Sequence, residues 1–282
     1  MDMLHSAQDL RAAVGRWRSA GLRVGFVPTM GNLHAGHFSL LQTAREHCDR
    51  VVASVFVNPT QFGPNEDFAR YPRTLDADGQ GLAEQGCDLL FAPDVATMYP
   101  FGTDGATRVE VKGVTETLEG AFRPGHFAGV ATVVLRLLNL VQADVAVFGR
   151  KDYQQLLTIR RLVADLCLPL RIVAAPTLRE ANGLAMSSRN QYLSAAERGQ
   201  AGLIHQTLQQ MRAAVERGDE PAAIEAAALA ALDGAGFRSD YAALRRAEDL
   251  GLPEPGQRRG LVALIATRLG STRLIDNLAI DA

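Results

Sequence analysis

The sequence predicts an α/β protein: a mainly parallel sheet covered on both faces, followed by a smaller α+β domain. Three observations carry that expectation. Short apolar or β-branched runs alternate with helix-length segments through the first 176 residues, long helical stretches take over after Arg189, and the tail returns to strand-like runs. Strands separated by helices imply right-handed crossovers, which give parallel sheets.

Each element has its own signal. "LRVGFVP" (22–28) is a buried-strand run that ends at Pro28, and the spacing of Phe38, Leu40, Leu41 and Ala44 suits an amphipathic helix over 35–47. "RVVASVFV" (50–57) is a second strand, stopped by Asn58-Pro59, and "CDLLFAP" (87–93) a third. A buried helix is expected over 129–142, strands over 144–149 and 170–176, and a helix over 153–166 between them. In the second part, Ser194-x-x-Glu197 is a capping-box pattern that opens one long helix. An Ala-rich helix from Pro221 follows, and the tail reads as two strands around Gly270-Ser271. The boundary falls between Pro176 and Asn190, giving domains of 1–176 and 177–282.

With 282 residues, 47% hydrophobic and 21% charged, the chain has the composition of a folded globular protein. A net charge of −2 gives no reason to expect a general nucleic-acid or membrane surface. Cys48, Cys87 and Cys167 lie far apart without metal-ligand spacing, so they read as reduced thiols. The start "MDMLHSAQDLRAAVGRW" lacks a signal-peptide core, and no apolar run approaches the ~18 residues of a membrane span. A cytoplasmic protein is the expectation.

Ligands of such sheets bind beyond the carboxyl ends of the strands. The loops after Val27, Val57 and Phe148 are therefore expected to converge, in a Rossmann-like nucleotide-binding domain. The first of them is "PTMGNLHAGH" (28–37). His34 and His37 share one face of a first helical turn, where amides and the helix dipole favour an anion. Imidazoles add directional donors, and Gly31 and Gly36 allow the turn and a close approach. This pattern suits charge that develops during phosphoryl or nucleotidyl transfer. The bland alternative is one cap histidine and one core histidine. A second loop, Met186-Ser187-Ser188-Arg189, offers two hydroxyls and a guanidinium. A third, Gly149-Arg150-Lys151-Asp152, supplies a point charge from Lys151, while Asp152 suits a helix cap and Gln155 lies one turn further on.

The histidine pair followed by a Met-Ser-Ser-Arg loop resembles the HIGH and KMSKS-type signatures of the nucleotidyltransferase superfamily. The strings "VPTMGNLHAGH", "FVNPTQF", "YPRTL", "LEGAFRPGHFAGV", "FGRKDYQQL", "GLAMSSRN" and "RLIDN" together resemble the pantothenate synthetase (pantoate–β-alanine ligase) family over essentially the whole chain. The resemblance implies an enzyme that forms pantoyl adenylate from ATP and pantoate and passes the acyl group to β-alanine. It implies an ATP site of Met30, Gly31, Asn32, Leu33, His34, Ala35, Gly36 and His37. To these it adds Gly149, Arg150, Lys151, Asp152, Leu178, Met186, Ser187, Ser188 and Arg189. His37 matches the residue commonly assigned as catalytic, and His34, Lys151 and Arg189 are of the right type to assist it. Gln61 and Gln155 match the glutamines that hold pantoate, and Asp78 matches a magnesium-associated carboxylate. Mg²⁺ as companion of ATP, and a homodimer, are further implications. Arg150 departs from the acidic residue common before the lysine.

Pantoate is already a nucleophilic carboxylate, so its activation needs electrostatic stabilisation rather than a base, and His37 reads as a donor. A nucleotidyltransferase of the same superfamily is the alternative, but a phosphorylated substrate would call for Arg or Lys where Gln61 and Gln155 stand. A tRNA synthetase lacks a basic face here, and a binding-only module would not need every one of these groups. His126 reads as loop-anchoring, with Arg123 bordering the site; Trp17 and the leucines of 133–140 read as packing, and His5, His47 and His205 as incidental.

Overall fold

A computed structural model describes residues 1–64 and 66–281. In chain order the first elements are β1 (Asp2–Leu4), α1 (Ala7–Ser19), β2 (Val24–Thr29), α2 (Ala35–Arg45), β3 (Arg50–Val55), α3 (Leu75–Glu84) and β4 (Leu89–Phe91). There follow α4 (Val95–Met98), α5 (Glu119–Phe122), α6 (His126–Val141), β5 (Val145–Gly149), α7 (Tyr153–Asp165) and β6 (Arg171–Ala175). The remainder is α8 (Ala195–Gln200), α9 (Leu203–Arg217), α10 (Pro221–Gly234), β7 (Arg238–Arg246), β8 (Leu261–Leu269) and β9 (Thr272–Ile280).

Contacts divide the chain into two compact units. One comprises 1–116, 123–149 and 154–176; the other comprises 117–122, 150–153 and 177–282. Two short segments from within the first 176 residues thus belong to the second unit.

The first unit is a six-stranded parallel sheet of order β1-β4-β3-β2-β5-β6. Successive strand residues face opposite ways. Phe26, Val52, Phe91 and Phe148 therefore join one core with α1, α6 and α7, and Val27, Val51, Leu90 and Val147 join another with α2 and α3. Runs buried on both faces carry no polar alternation, which is why the sequence shows them as continuous apolar stretches. The winding reverses between β2 and β5, so the loops after β3, β2 and β5 leave the carboxyl ends of three adjacent strands. This is the crevice where such sheets hold ligands.

The second unit packs α9 and α10 on the antiparallel sheet β7-β8-β9, with Leu208, Met211, Leu232, Ile265 and Leu244 in one core. The single long helix expected from Ser194 is two, α8 and α9. The i→i−4 register is interrupted where Ile204 N bonds Ala201 O, and a Cβ on Gly202 would lie 2.4 Å from the Asn182 carbonyl oxygen. Strand β1, three residues at a sheet edge, is too short to show a period, and neither it nor the α1 helix that follows was part of the expectation. Strand β7 was also absent from the expectation; its polar run Arg238-Ser239-Asp240 masks the alternation. Among the described residues, no helix is long and apolar enough to cross a membrane.

The α5 segment is fastened within the second unit by charge. Arg273 donates to both Glu119 oxygens at 2.7 and 2.6 Å and to Asp240 at 2.7 Å, and Tyr241 donates to Glu119 at 2.9 Å. Burial, then the Glu119 charge, push the Tyr241 phenol well above its ordinary range, so it remains a donor. Removing one partner of a buried pair strands the other. Glu119→Ala is therefore expected to cost about 3–5 kcal/mol in urea unfolding followed on the second unit, and a loss below about 1 kcal/mol would refute this role for the cluster.

Candidate active site

In the first unit, the turn after β2 is built from backbone that glycine and asparagine tolerate: Gly31 has φ +83° and Asn32 φ +52°. The carboxylate of Asp78, in the first turn of α3, accepts from Asn32 N at 2.9 Å, Leu33 N at 2.8 Å and Thr74 Oγ1 at 3.1 Å. A Cβ on Gly31 would lie 2.9 Å from that same carboxylate. Position 31 is glycine on two counts, conformation and space.

Helix α2 is capped by histidine. His34 Nδ1 accepts from Gly36 N at 3.1 Å, and His37 Nδ1 accepts from His34 N at 3.4 Å, a reciprocal box usually made by Ser and Glu. The amides expected to be free for an anion at this helix start are thus already bonded at 34 and 36. A ring nitrogen that accepts cannot carry the proton, so both neutral rings bear it on Nε2. The rings lie 4.2 Å apart between centroids, tilted by 46°.

Asp78 is 3% exposed and its carboxylate is engaged by three donors, so the residue holds the turn.

Gln61 lies on the short turn Pro59–Gln61 after β3 and is 7% exposed. Tyr99 donates to Asn58 Oδ1 at 2.7 Å, which turns the Asn58 amide so that Nδ2 donates to Gln61 Oε1 at 3.1 Å and to Gly129 O at 3.3 Å. Gln61 is thereby oriented with Nε2 toward Met30 Sδ, 3.0 Å away. Burial raises the Tyr99 pKa, keeping the phenol a donor. Asn58, which the sequence shows only as a strand stop, sets the Gln61 amide. Behind this turn α6 packs so closely that a Cβ on Gly129 would meet the Thr60 carbonyl oxygen at 2.4 Å.

A second fastening acts on the same turn. His126 Nδ1 donates to Gln61 O at 2.8 Å, because its Nε2 accepts from Arg123 Nη1 at 3.0 Å. Arg123 also forms a two-pronged pair with Glu66 at 2.7 and 2.6 Å. Burial alone would raise the Glu66 carboxyl, but the bonds and charge of Arg123 hold it below its ordinary value. Gln155, in α7, is half-buried, whereas its neighbour Gln154 is packed and donates to Val114 O at 2.8 Å.

In the second unit, Lys151 is 19% exposed with its ammonium 3.9 Å from Asp152, while Arg150 is exposed. Asn277 donates to the carbonyls of Arg150 at 2.9 Å and Lys151 at 2.7 Å. Residues 178–186 fold back on themselves: Met186 N bonds Leu178 O at 2.9 Å, and Arg179 bridges Ala185. Ser187 caps the following turn, accepting from Arg189 N at 3.3 Å. The sequence-derived residues therefore gather in two sets. Met30 to His37, Gln61, Asp78, Gly149 and Gln155 lie in the first unit; Arg150 to Asp152, Leu178 and Met186 to Arg189 lie in the second.

The family model for pantoate-beta-alanine ligase matches residues 2–279. The chain belongs to the pantoate–β-alanine ligase family. A pantothenate synthetase of Xanthomonas oryzae pv. oryzae is 61% identical over 269 residues, covering 95% of this chain and 96% of that protein. Pantothenate synthetase from Thermus thermophilus is structurally similar, with TM-score 0.93 and 50% identity, each chain covered completely. A pantoate–β-alanine ligase from Francisella tularensis, complexed with beta-gamma ATP and beta-alanine, is similar at TM-score 0.82 and 34% identity, over 99% of this chain and 97% of that one. The Rossmann-like parallel sheet with a smaller second sheet is thus the architecture of this ligase family.

Two expectations follow from the geometry. Asp78→Ala orphans the amides of Asn32 and Leu33; it is expected to lower stability by about 1–3 kcal/mol and to speed hydrogen exchange at those two amides, and unchanged exchange would contradict the clasp. Glu66 has a lowered folded pKa, so its pairing stabilises the protein above the ordinary carboxylate pKa of about 4.3 and fades as pH falls through the folded value. Glu66→Gln is expected to cost stability at pH 7 and to flatten part of the loss on acidification below about pH 4.3, as read by unfolding at stepped pH; parallel curves for the two proteins would exclude this contribution.

Proposed function

We propose that this chain condenses pantoate with β-alanine in an ATP-dependent reaction through a pantoyl-adenylate intermediate, releasing pyrophosphate and AMP. The observation that carries the reading is the paired histidine cap at the reversal point of the sheet, together with a Gln61 amide fixed by Asn58 and turned to Met30 in the same loop as the histidines. In the first step a pantoate carboxylate oxygen attacks the α-phosphorus and the bond to pyrophosphate breaks. No proton has to be removed from the attacking group, so Nε2–H donors that meet growing negative charge suit the step better than a base. In the second step the amine of β-alanine, having shed a proton, forms the C–N bond while the C–O bond to AMP breaks.

Gln61 and Gln155 are read as the pantoate ligands, because amides both donate and accept and bring no charge that would titrate. The family motifs assign Lys151, Arg189, Ser187, Ser188 and the backbone around Leu178 of the second unit to ATP, with a lid role for residues 177–282 and substrate binding for 1–176. His37 is the residue read as the principal catalytic donor, with His34 beside it. Magnesium, in this reading, accompanies the phosphates of ATP. Free Cys48, Cys87 and Cys167 accord with a cytoplasmic location, and the family resemblance favours a homodimer.

The test is ATP–pyrophosphate exchange. Exchange is expected to require pantoate and to be absent with CTP; exchange without pantoate, or with CTP alone, would favour the nucleotidyltransferase alternative. His37→Ala is expected to slow the exchange about 10²–10³-fold, the usual cost of a lost transition-state donor, and a near-normal rate would remove His37 from the reaction.

A further inference from the structure

In an antiparallel strand covered on one face, buried and exposed residues alternate. Strand β9 keeps that alternation from Thr272 to Ile275 and breaks it at Asp276 and Asn277, which are both buried. Two adjacent polar side chains inside a strand need partners, and each has found one in a segment read above as part of the ATP site.

Asn277 spends both amide hydrogens on consecutive carbonyls, those of Arg150 and Lys151. These carbonyls belong to the two peptide planes that flank the Lys151 Cα. Holding both planes fixes φ and ψ of Lys151 together, and so fixes the direction in which its side chain leaves the backbone. Asp276 takes the other segment. Its carboxylate accepts from Arg179 at 2.6 and 3.0 Å and from Asn277 N at 2.8 Å. The same guanidinium donates to Gly183 O at 3.0 Å, closing the fold-back that sets Leu178 against Met186. Asn190 then ties the end of that segment to Ala185 O at 3.1 Å and to Glu180 at 2.8 Å.

We infer that Asp276 and Asn277 are the positioning pair of the nucleotide-binding groups in the second unit, holding Lys151 and the Leu178–Arg189 segment in one fixed register from a single point on β9. Neither residue acts on the substrate; each acts through the backbone of groups that would. The inference rests on the ATP reading of residues 150–152 and 178–189.

Asn277→Asp separates this role from simple packing. Aspartate keeps the size of the side chain but turns two donors into an acceptor facing two carbonyls, so it is expected to be worse than Asn277→Ala. Both variants are to be compared with Lys151→Ala in the complete reaction, with hydrogen exchange of residues 150–153 and 178–189 as a readout independent of activity. The expected result is a rise in the ATP Michaelis constant of about tenfold for Asn277→Ala and more for Asn277→Asp. Pantoate and β-alanine constants should stay within about twofold, and exchange across 150–153 should accelerate. Unchanged ATP constants and exchange in both Asn277 variants, beside a defective Lys151→Ala, would overturn the proposal alone. Equal losses for all three substrates together with a lowered melting temperature would overturn it in favour of a general structural role. A normal Lys151→Ala enzyme would overturn the ATP reading of the loop, and the proposal with it.

Discussion

The path of the chain at the reversal of the sheet depends on one carboxylate. Asn32 and Leu33 leave β2 in a turn whose amides have no strand or helix to bond, and Asp78 supplies the acceptor for both. Because these are charge-assisted bonds in a buried place, they outweigh the small cost of positive φ at Asn32. The point at which α2 begins and the pairing of its two histidines follow directly on that turn. Asp78 is the anchor of the turn.

The same hydrogen-bond logic gives each donor of the first unit a definite sense. Tyr99 turns Asn58, and Asn58 turns Gln61; Arg123 fixes the tautomer of His126, and His126 holds the Gln61 backbone. Gln61 is thus held at side chain and backbone by separate chains of bonds, a degree of restraint more useful for orienting a small hydroxy acid than for merely attracting it. A neutral amide so restrained also separates the ligase reading from transfer to a phosphorylated substrate, which would reward positive charge at that position.

Much of this was legible in the sequence. Val24–Thr29, Arg50–Val55 and Val145–Gly149 are strands buried on both faces, whose β-branched runs need no tertiary information to be recognised, and His34 and His37 declared themselves by spacing after such a run. What escaped was decided by contacts distant in sequence. Helix α8 ends where the Asn182 side chain donates to the Arg198 carbonyl, and no periodicity encodes that. Asp78 and Asn58 carry ordinary turn and helix-start identities; their partners lie at Asn32, Leu33, Gln61 and Tyr99, and only folding brings them together. The pair Asp276-Asn277 did leave a trace, two polar residues in succession in a strand otherwise apolar at every second position, but the trace names no partner.

The make-up of the second unit from three separate stretches of chain has a consequence for how this protein can be cut or recombined. A crossover at residue 176 looks like a natural seam, yet a chimera joined there would take Glu119 and the carbonyls of Arg150 and Lys151 from one parent and Arg273, Tyr241 and Asn277 from the other. The two halves of such a hybrid would be matched only if both parents agreed at these positions. Inheritance of the second unit is therefore tied to residues encoded far upstream of it, and the gene is less modular than a division into two units suggests.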